Sequence, residues 1–219
     1  MADSSKEVSA GFLRRPLRPS YLRIIEFDKK KCITSMVKWV TWQRPPVESV
    51  KINTDGGCLQ NEKIGYSGVV MRDDSGVWMS GVVGKFDCFT NRPELEAELW
   101  GAFSGLALAW EAGCRSVQLE MDSKSALDYI LERKVLTGSS AYWNRILNKV
   151  IQFKKKNGNY QLSLTTGKLM RGADKMAYEA RIKAPYGFSL KVDMPKDVKT
   201  MATRDFNGEP RPRRLKRRA

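Results

Sequence analysis

Histidine is absent from this chain of 219 residues, and cysteine is scarce. Without histidine, neither a catalytic triad nor a general base can be built on an imidazole ring. The four cysteines, Cys32, Cys58, Cys88 and Cys114, are too widely spaced to form a CxxC pair. A structural zinc site is therefore not expected. Unpaired thiols are typical of a reduced intracellular protein.

Long apolar runs and an acidic balance are missing as well. No segment approaches the roughly 18 apolar residues of a membrane span, so no membrane partner is predicted. Only 24 acidic residues stand against 39 lysines and arginines, which leaves a net charge of +15. Such a charge indicates attraction to a polyanion, and nucleic acid is the natural candidate. The composition says nothing about protein partners.

Changes in composition divide the chain into four segments. Residues 1–46 resemble a partly irregular leader, 47–185 the main domain, 186–210 a C-terminal extension and 211–219 a basic disordered tail. The tail carries six positive charges. It is typical of a nuclear localisation signal or a non-specific nucleic-acid arm, with a plain solvated terminus as the alternative. We therefore expect a location in the nucleus or cytoplasm, and an organelle stays open.

The periodicity of the main domain predicts an α/β fold with a mixed five-stranded sheet flanked by helices. Three antiparallel strands come first and parallel strands follow. The predicted strands are 50–55, 66–71, 77–83, 116–122 and 160–165. The predicted helices are 93–112, 124–133, 141–156 and 169–182. Because a helix separates the first and fourth strands, we expect these two strands to be parallel.

Four acidic residues occupy positions where this layout could gather them. Asp55 and Asp122 are predicted at the carboxyl ends of the two parallel strands, which meet at one edge of the sheet. Glu98 lies in the helix between them, and Asp174 in the last helix. Carboxylates supplied by separate elements are the ligands that a pair of magnesium ions needs.

Each of these residues also has a simpler explanation. Asp55 could start a turn before two glycines, and Glu98 could be a solvated helix residue. Asp122 could serve a helix start, and Asp174 could pair with a neighbouring arginine or lysine. Taken singly, each simple explanation is favoured. Taken together, in this order of elements, the shared metal site is favoured.

Several sequence strings resemble the ribonuclease H fold, and in particular the ribonuclease H-like domains of plant retroelements and related host genes. The matching strings are Lys-Ile-Asn-Thr-Asp-Gly-Gly, Gly-Val-Val-Met-Arg-Asp-Asp-Ser-Gly, Leu-Glu-Ala-Glu-Leu-Trp-Gly-Ala, Gly-Leu-Ala-Leu-Ala-Trp-Glu-Ala-Gly and Val-Gln-Leu-Glu-Met-Asp-Ser. The resemblance covers about three quarters of the chain. A lone Thr-Asp-Gly is weak evidence, whereas this ordered set is specific.

The resemblance implies a magnesium-dependent endonuclease that cleaves the RNA strand of an RNA/DNA hybrid. Two Mg²⁺ ions, or Mn²⁺ in their place, would lie roughly 4 Å apart. One would activate a water, and the other would stabilise the leaving 3′ oxygen of the RNA. The residues that match the family's catalytic and metal-binding carboxylates are Asp55, Glu98, Asp122 and Asp174.

One departure from the family pattern bears on activity. Family members usually carry a histidine ten residues before the last aspartate, and Leu164 holds that position here. General acid–base help is typically worth about 10²–10⁴-fold, so its loss should slow turnover without removing the metal site. The departure equally fits a domesticated protein that binds nucleic acid and cuts it weakly or not at all. A basic structural component of a ribonucleoprotein is a third hypothesis.

Further residues are candidates for contact with the nucleic acid. Backbone groups near Gly56 and Gly57 could approach the sugar edge, where the 2′-hydroxyl distinguishes RNA from DNA. Basic residues outside the apolar stripe of the helix 141–156 could follow a phosphate backbone. A solvated helix end favoured by the helix dipole is the alternative. These basic residues are Arg145, Lys149, Lys154, Lys155 and Lys156.

Overall fold

The computed structural model describes residues 37–131, 141–156, 159–165, 167 and 169–214. The described residues divide into two units, Val40–Arg211 and a smaller one to which residues 37–39 and 212–214 belong. The larger unit contains the α/β domain. No helix among the described residues is long and apolar enough to cross a membrane.

The described residues form eight strands and five helices. The strands are β1 (Val37–Val40), β2 (Val50–Leu59), β3 (Ile64–Arg72), β4 (Trp78–Asp87), β5 (Ser116–Met121), β6 (Asn159–Leu164), β7 (Gly187–Lys191) and β8 (Arg211–Arg214). The helices are α1 (Pro93–Glu111), α2 (Lys124–Ile130), α3 (Ala141–Lys156), α4 (Arg171–Ile182) and α5 (Lys196–Phe206).

Six strands build one mixed sheet in the order β6-β5-β2-β3-β4-β7. Strands β2, β3 and β4 are antiparallel neighbours, and β5 runs parallel to both β2 and β6. The predicted α/β fold with a mixed sheet is therefore confirmed, including the parallel pairing across α1. The sheet has six strands instead of five, because β7 pairs antiparallel with the free edge of β4.

The C-terminal part of the chain has more regular structure than the sequence indicates. The range 186–210, predicted only as an extension, contains β7 and α5. Within 211–219, predicted to be a disordered tail, Arg211–Arg214 form β8, which pairs with β1 in a separate two-stranded sheet. Residues 215–219 lie outside the described part of the chain, as do 1–36 of the predicted leader.

The two faces of the large sheet bury different sets of side chains. On one face, Ile52, Val69 and Leu119 join α1, α2 and α3 in the larger hydrophobic cluster. On the other face, Val70 and Val83 pack with residues of α4 and α5. Successive residues of a strand point to opposite faces. Asp55, three residues after Ile52, therefore lies on the face that α4 covers.

Candidate metal centre

Three carboxylates from three separate elements meet at one place in the larger unit. One oxygen each of Asp55 on β2, Glu98 on α1 and Asp122, directly after β5, lie within 4.8 Å of one another. Asp55 is partly buried, Glu98 is buried with 8% of its surface exposed, and Asp122 is exposed. The centre thus has a buried side and a side open to solvent.

The parallel pairing of β2 and β5 brings the two aspartates together. The paired residues run from Val50 with Val117 to Asn53 with Glu120. Asp55 and Asp122 each lie two residues beyond that last pair, so both lie on the same face of their strands. Strand β2 itself does not end at Asp55 as predicted. It continues through both glycines to Leu59, because its other edge pairs with β3.

Glu98 reaches the centre because α1 lies very close to β2. A Cβ atom at Gly56 would lie 2.6 Å from the carbonyl carbon of Ala97 and 2.8 Å from the backbone nitrogen of Glu98. A Cβ at Gly105 would lie 2.8 Å from Ile52 Cγ2, as expected for a small residue that faces the sheet. Only glycine at position 56 allows this approach, so Gly56 has a packing role that the sequence did not indicate.

Asp174 belongs to α4, which covers the face of the sheet opposite α1. Helix α4 lies against β3 at Gly68, where a Cβ atom would be 2.2 Å from the backbone nitrogen of Ala177. Asp174 is exposed in the first turn of α4. It lies outside the group that meets within 4.8 Å, yet its negative charge raises the pKa of both Asp55 and Asp122.

Burial and mutual repulsion raise the pKa values of the three clustered carboxyls. The pKa of Asp55 rises from 3.8 to about 7, chiefly through burial and then through Asp122 and Asp174, while a hydrogen bond from the Gly56 backbone opposes the rise. Burial, with Asp55 and Asp122 adding to it, holds the pKa of Glu98 well above its ordinary value. Partial desolvation, with the charge of Asp174 adding to it, also raises the pKa of Asp122, although this side chain is open to solvent on one side. Like charges this close are costly without a cation between them.

The donor set fits a hard divalent cation. The Oε2 atom of Glu98 is buried and has no hydrogen-bond partner within the protein. Buried polar atoms normally have partners, and a metal ion fits as the partner of an unpartnered oxygen beside two other carboxylates. An all-oxygen set is the chemistry that Mg²⁺ prefers, and it suits Mn²⁺ as well. Asp55, Glu98 and Asp122 would hold such an ion, with Asp174 next to them.

The segment after β6 borders the centre. Leu164 is paired with Met121 in the sheet, and the Thr165 backbone N–H donates to the Met121 carbonyl at 2.8 Å. A Cβ atom at Gly167 would lie 2.9 Å from Oδ2 of Asp122. Leu164 therefore lies one residue along the sheet from Asp122, with its exposed side chain on the face of Met121, opposite that of Asp122.

A cleft of about 530 Å³ opens beside Glu98. Its polar lining was not predicted from the sequence, although Asn91 and Arg92 directly precede the Pro93 start of α1 and Ser123 directly follows Asp122. Arg92 Nη1 donates to the Tyr129 hydroxyl at 2.8 Å, which fixes the guanidinium at the rim. The polar residues that line the cleft are Gln60, Asn91, Arg92, Glu94, Ser123 and Ser125.

The other predicted contact residues are distributed over two places. A Cβ atom at Gly57 would lie 2.5 Å from the Tyr66 hydroxyl, so this glycine makes room for a side chain. On α3, Lys149 and Lys156 rest over aromatic rings of α1, Phe103 and Trp110 respectively. Arg145 and Lys155 are exposed, and the side chain of Lys154 is outside the described set. A role in binding stays a prediction for all of these residues.

Comparison with known proteins places this geometry in a known class. An archaeal ribonuclease H1 from Halobacterium salinarum NRC-1 superimposes with a TM-score of 0.56 at 18% identity, covering 62% of this chain and 99% of that one. LC11-RNase H1, solved in complex with an RNA/DNA hybrid, gives a TM-score of 0.51 at 20% identity, covering 60% and 96%. At these identities the likeness shows the fold, which is that of ribonuclease H.

The chain belongs to the reverse transcriptase-like family, whose model matches residues 53–180, more than half of its length. It is a ribonuclease H-like domain of the plant retroelement type. A protein of Arabidopsis thaliana named as a ribonuclease H protein is 28% identical over 186 residues, which is 82% of this chain. That match spans only 28% of the relative's length. The family suggested by the sequence strings is confirmed.

Proposed function

We propose that the protein is a divalent-metal-dependent endonuclease that cleaves the RNA strand of RNA/DNA hybrids. The observation that carries this proposal is the convergence of Asp55, Glu98 and Asp122 within 4.8 Å, with a buried Glu98 oxygen that no protein group satisfies. Membership of a ribonuclease H-like family supports a nuclease function. The complex of LC11-RNase H1 with a hybrid supports the choice of substrate.

The residues of the centre have different tasks in this reaction. Two divalent ions, when bound, would activate the attacking water and stabilise the leaving 3′ oxygen. Buried Glu98 and partly buried Asp55 hold their charges in a poorly hydrated place, where attraction to a cation is strong. Exposed Asp122 and Asp174 lie on the solvent side, from which the nucleic acid must approach.

The adjacent cleft is suited to hold the sugar–phosphate backbone. Arg92 is fixed by its bond to Tyr129 and presents a cation beside the acidic centre. The Ser123 and Ser125 hydroxyls and the Asn91 amide can hydrogen-bond to phosphate and sugar oxygens. The backbone of Gly57 remains a candidate for contact with the 2′-hydroxyl. These groups would orient the scissile bond over the carboxylates.

A weakly active or inactive nucleic-acid-binding protein is the second candidate, favoured by a specific observation. The chain contains no histidine, and the position that matches the family's loop histidine is the exposed Leu164. The net charge of +15 suits binding with or without cleavage. The same basic charge in the tail leads us to propose a nuclear or cytoplasmic location. A fluorescent fusion with Lys216, Arg217 and Arg218 changed to Gln tests the role of the tail.

Cleavage of a labelled hybrid separates the two candidates. The wild-type chain with Mg²⁺ is expected to cut the RNA strand and to leave duplex DNA intact, whereas Asp55→Asn is expected to be inactive. Asp193→Asn makes the same chemical change at an exposed residue of the C-terminal extension and should cut normally. Tight hybrid binding without cutting in Mg²⁺ or Mn²⁺ would support the binding protein. A chain that neither cuts hybrids nor binds them more tightly than duplex DNA would contradict the endonuclease and favour a basic structural component of a ribonucleoprotein.

A further inference from the structure

A buried polar network lies next to the metal centre, on the face of the sheet that carries Asp55 and Asp122. Lys51 Nζ donates to Oε1 of Glu120 at 2.7 Å, and Asn53 Nδ2 donates to Oε2 of the same carboxylate at 2.9 Å. Lys51 is only 1% exposed and Glu120 is 8% exposed. Both oxygens of one carboxylate are thus bonded to a neighbouring strand.

The network continues from Asn53 to helix α5. Arg72 Nη2 donates to Asn53 Oδ1 at 2.9 Å, and Arg72 Nη1 donates to Oδ2 of Asp205 at 2.9 Å. The other carboxylate oxygen of Asp205 accepts from Arg211. Trp42 Nε1 donates to Asn53 Oδ1 at 3.1 Å. The centroid of the Trp42 ring lies 3.6 Å from the guanidinium carbon of Arg72.

The position of the network relative to the strand pairing is informative. Asn53 and Glu120 form the last residue pair between β2 and β5. Asp55 and Asp122 follow two residues later on the same face, where the two strands are no longer paired with each other. The side-chain hydrogen bond between Asn53 and Glu120 therefore joins the strands at the last residue pair before the metal-centre aspartates.

Stability alone is a poor explanation for such a network. Three cations and two carboxylates share one buried region, and apolar side chains of similar volume are often at least as stabilising as buried ion pairs. Both polar atoms of the Asn53 side chain have partners, whereas Arg72 Nε is buried without one in the protein. An amide bonded in this way favours one arrangement of the two strands that it joins. Fixed carboxylate ligands are what a metal centre needs.

We propose that Lys51, Asn53, Arg72, Glu120 and Asp205 form a positioning network that holds Asp55 and Asp122 at metal-binding separation. Two of its members, Lys51 and Asp205, lie outside the residues 53–180 that match the family model. Through Asp205, helix α5 takes part in positioning the metal-centre aspartates. The inference deepens the proposed function and rests on it, because the separation matters only if the carboxylates hold cations.

The test measures Mn²⁺ affinity by calorimetry together with kcat and KM for hybrid cleavage, in the full chain. Asn53→Leu removes every bond of the central amide at nearly constant volume. We expect its Mn²⁺ affinity to fall by about 10-fold, the lower end of the effect of losing a group that orients metal ligands. We also expect kcat to fall while KM stays unchanged, because the substrate contacts are intact.

If Asn53→Leu folds poorly, further network variants and a core control distinguish a loss of Mn²⁺ affinity from a general loss of stability. Lys51→Met combined with Glu120→Leu removes an ion pair without leaving a buried unpaired charge, and it should also weaken Mn²⁺ binding. Asp205→Asn changes only the α5 end and should show a smaller loss in the same direction. Val83→Ala, in the core of β4, should lower the Tm and leave Mn²⁺ affinity unchanged.

The possible outcomes separate this inference from the proposed function. Wild-type Mn²⁺ affinity in the network variants, with only a lower Tm, would overturn the positioning role and leave the nuclease proposal standing. An equal loss of affinity in Val83→Ala would overturn it as well. A wild-type chain that binds Mn²⁺ but cuts nothing would contradict the nuclease proposal alone. A wild-type chain that takes up no Mn²⁺ would contradict both.

Discussion

At the scale of single residues, the carboxyl groups of the metal centre determine how stability changes with pH. The pKa of Asp55 is about 7 in the folded chain, against an ordinary value of 3.8. Between these values the folded Asp55 binds more protons than the unfolded one, so the contribution of this group to stability falls as pH rises. The pKa values of Glu98 and Asp122 are shifted in the same direction.

We therefore predict that the metal-free protein is less stable at pH 8 than at pH 5, and that Mg²⁺ removes much of the difference. Urea unfolding at the two pH values, with Mg²⁺ or with EDTA, measures this. Asp55→Asn removes one of the raised carboxyls and should flatten the metal-free dependence. Metal-free stability that rises between pH 5 and pH 8 would contradict the prediction.

Leu164 allows a test of proton transfer at a single residue. Its backbone is paired in the sheet with that of Met121, so its exposed side chain lies on the face that α1, the helix of Glu98, covers. If a histidine is what this position lacks, Leu164→His should raise kcat by up to about 10²-fold, the lower end of general acid–base help. The added activity should depend on pH near the ordinary histidine pKa of about 6.5. Leu164→Gln is the control, and an equal gain in that variant would contradict the proton-transfer explanation.

At the scale of elements, the contact between β2 and α1 decides whether Glu98 reaches the centre. We predict that Gly56→Ala costs about 1–3 kcal/mol of stability, as overpacking does, and lowers Mg²⁺-dependent cleavage. The reason is that the new Cβ would collide with the backbone of Ala97 and Glu98, which cannot move without displacing α1. Urea unfolding and hybrid cleavage give the two readouts.

Gly57→Ala is the matched comparison, one residue further along β2. Its Cβ would meet the hydroxyl end of Tyr66, a side chain that can turn away. We expect a smaller loss of stability and nearly unchanged cleavage. If Gly57→Ala impairs cleavage more than Gly56→Ala does, the positioning of Glu98 by close helix packing is contradicted, and direct contact of Gly57 with the substrate is supported.

The elements that build the centre could be predicted because their sequence signals are local. Pro93 begins α1 and Gly113, with a φ of 76°, follows its end, as the sequence indicates. The hairpin turn between β3 and β4 contains Gly76 at a φ of 83°. Alternating apolar residues predicted β2 and β5 as strands. The helix between them predicted that the two strands are parallel. These signals were sufficient to predict that Asp55, Glu98 and Asp122 lie close together.

The C-terminal elements and the buried network could not be predicted in the same way. Strand β7 lies at a sheet edge, and its apolar residues Phe188 and Leu190 are on the more exposed side, so its apolar residues do not mark a buried face. Helix α5 buries a narrow stripe around Val198. Lys51 resembled a solvent-facing strand residue, because its partner Glu120 is 69 residues away. Periodicity predicts the face of the sheet on which a residue lies. It does not predict which charged residue, distant in the sequence, will contact that residue.

At the scale of the whole molecule, the charge of +15 dominates the encounter with nucleic acid. A general positive field and specific phosphate contacts both strengthen binding, but they respond differently to substitution. Each phosphate contact releases a counterion and steepens the dependence of affinity on salt. The exposed residues Arg145 and Lys155 on α3 are candidates for such contacts. Lys196 and Lys199 on α5 are equally exposed and serve as the comparison.

We predict that Arg145→Gln with Lys155→Gln weakens hybrid binding and reduces the slope of log affinity against log salt by about one to two. Lys196→Gln with Lys199→Gln produces the same net charge, 15 − 2 = +13, and should leave that slope nearly unchanged. Titrations between 50 and 200 mM salt, in an Asp55→Asn background that prevents cutting, measure both. Because the two variants share one net charge, any difference between their slopes reports phosphate contacts of α3. Equal slopes would assign hybrid binding to the general field of the protein and contradict a contact role for this helix.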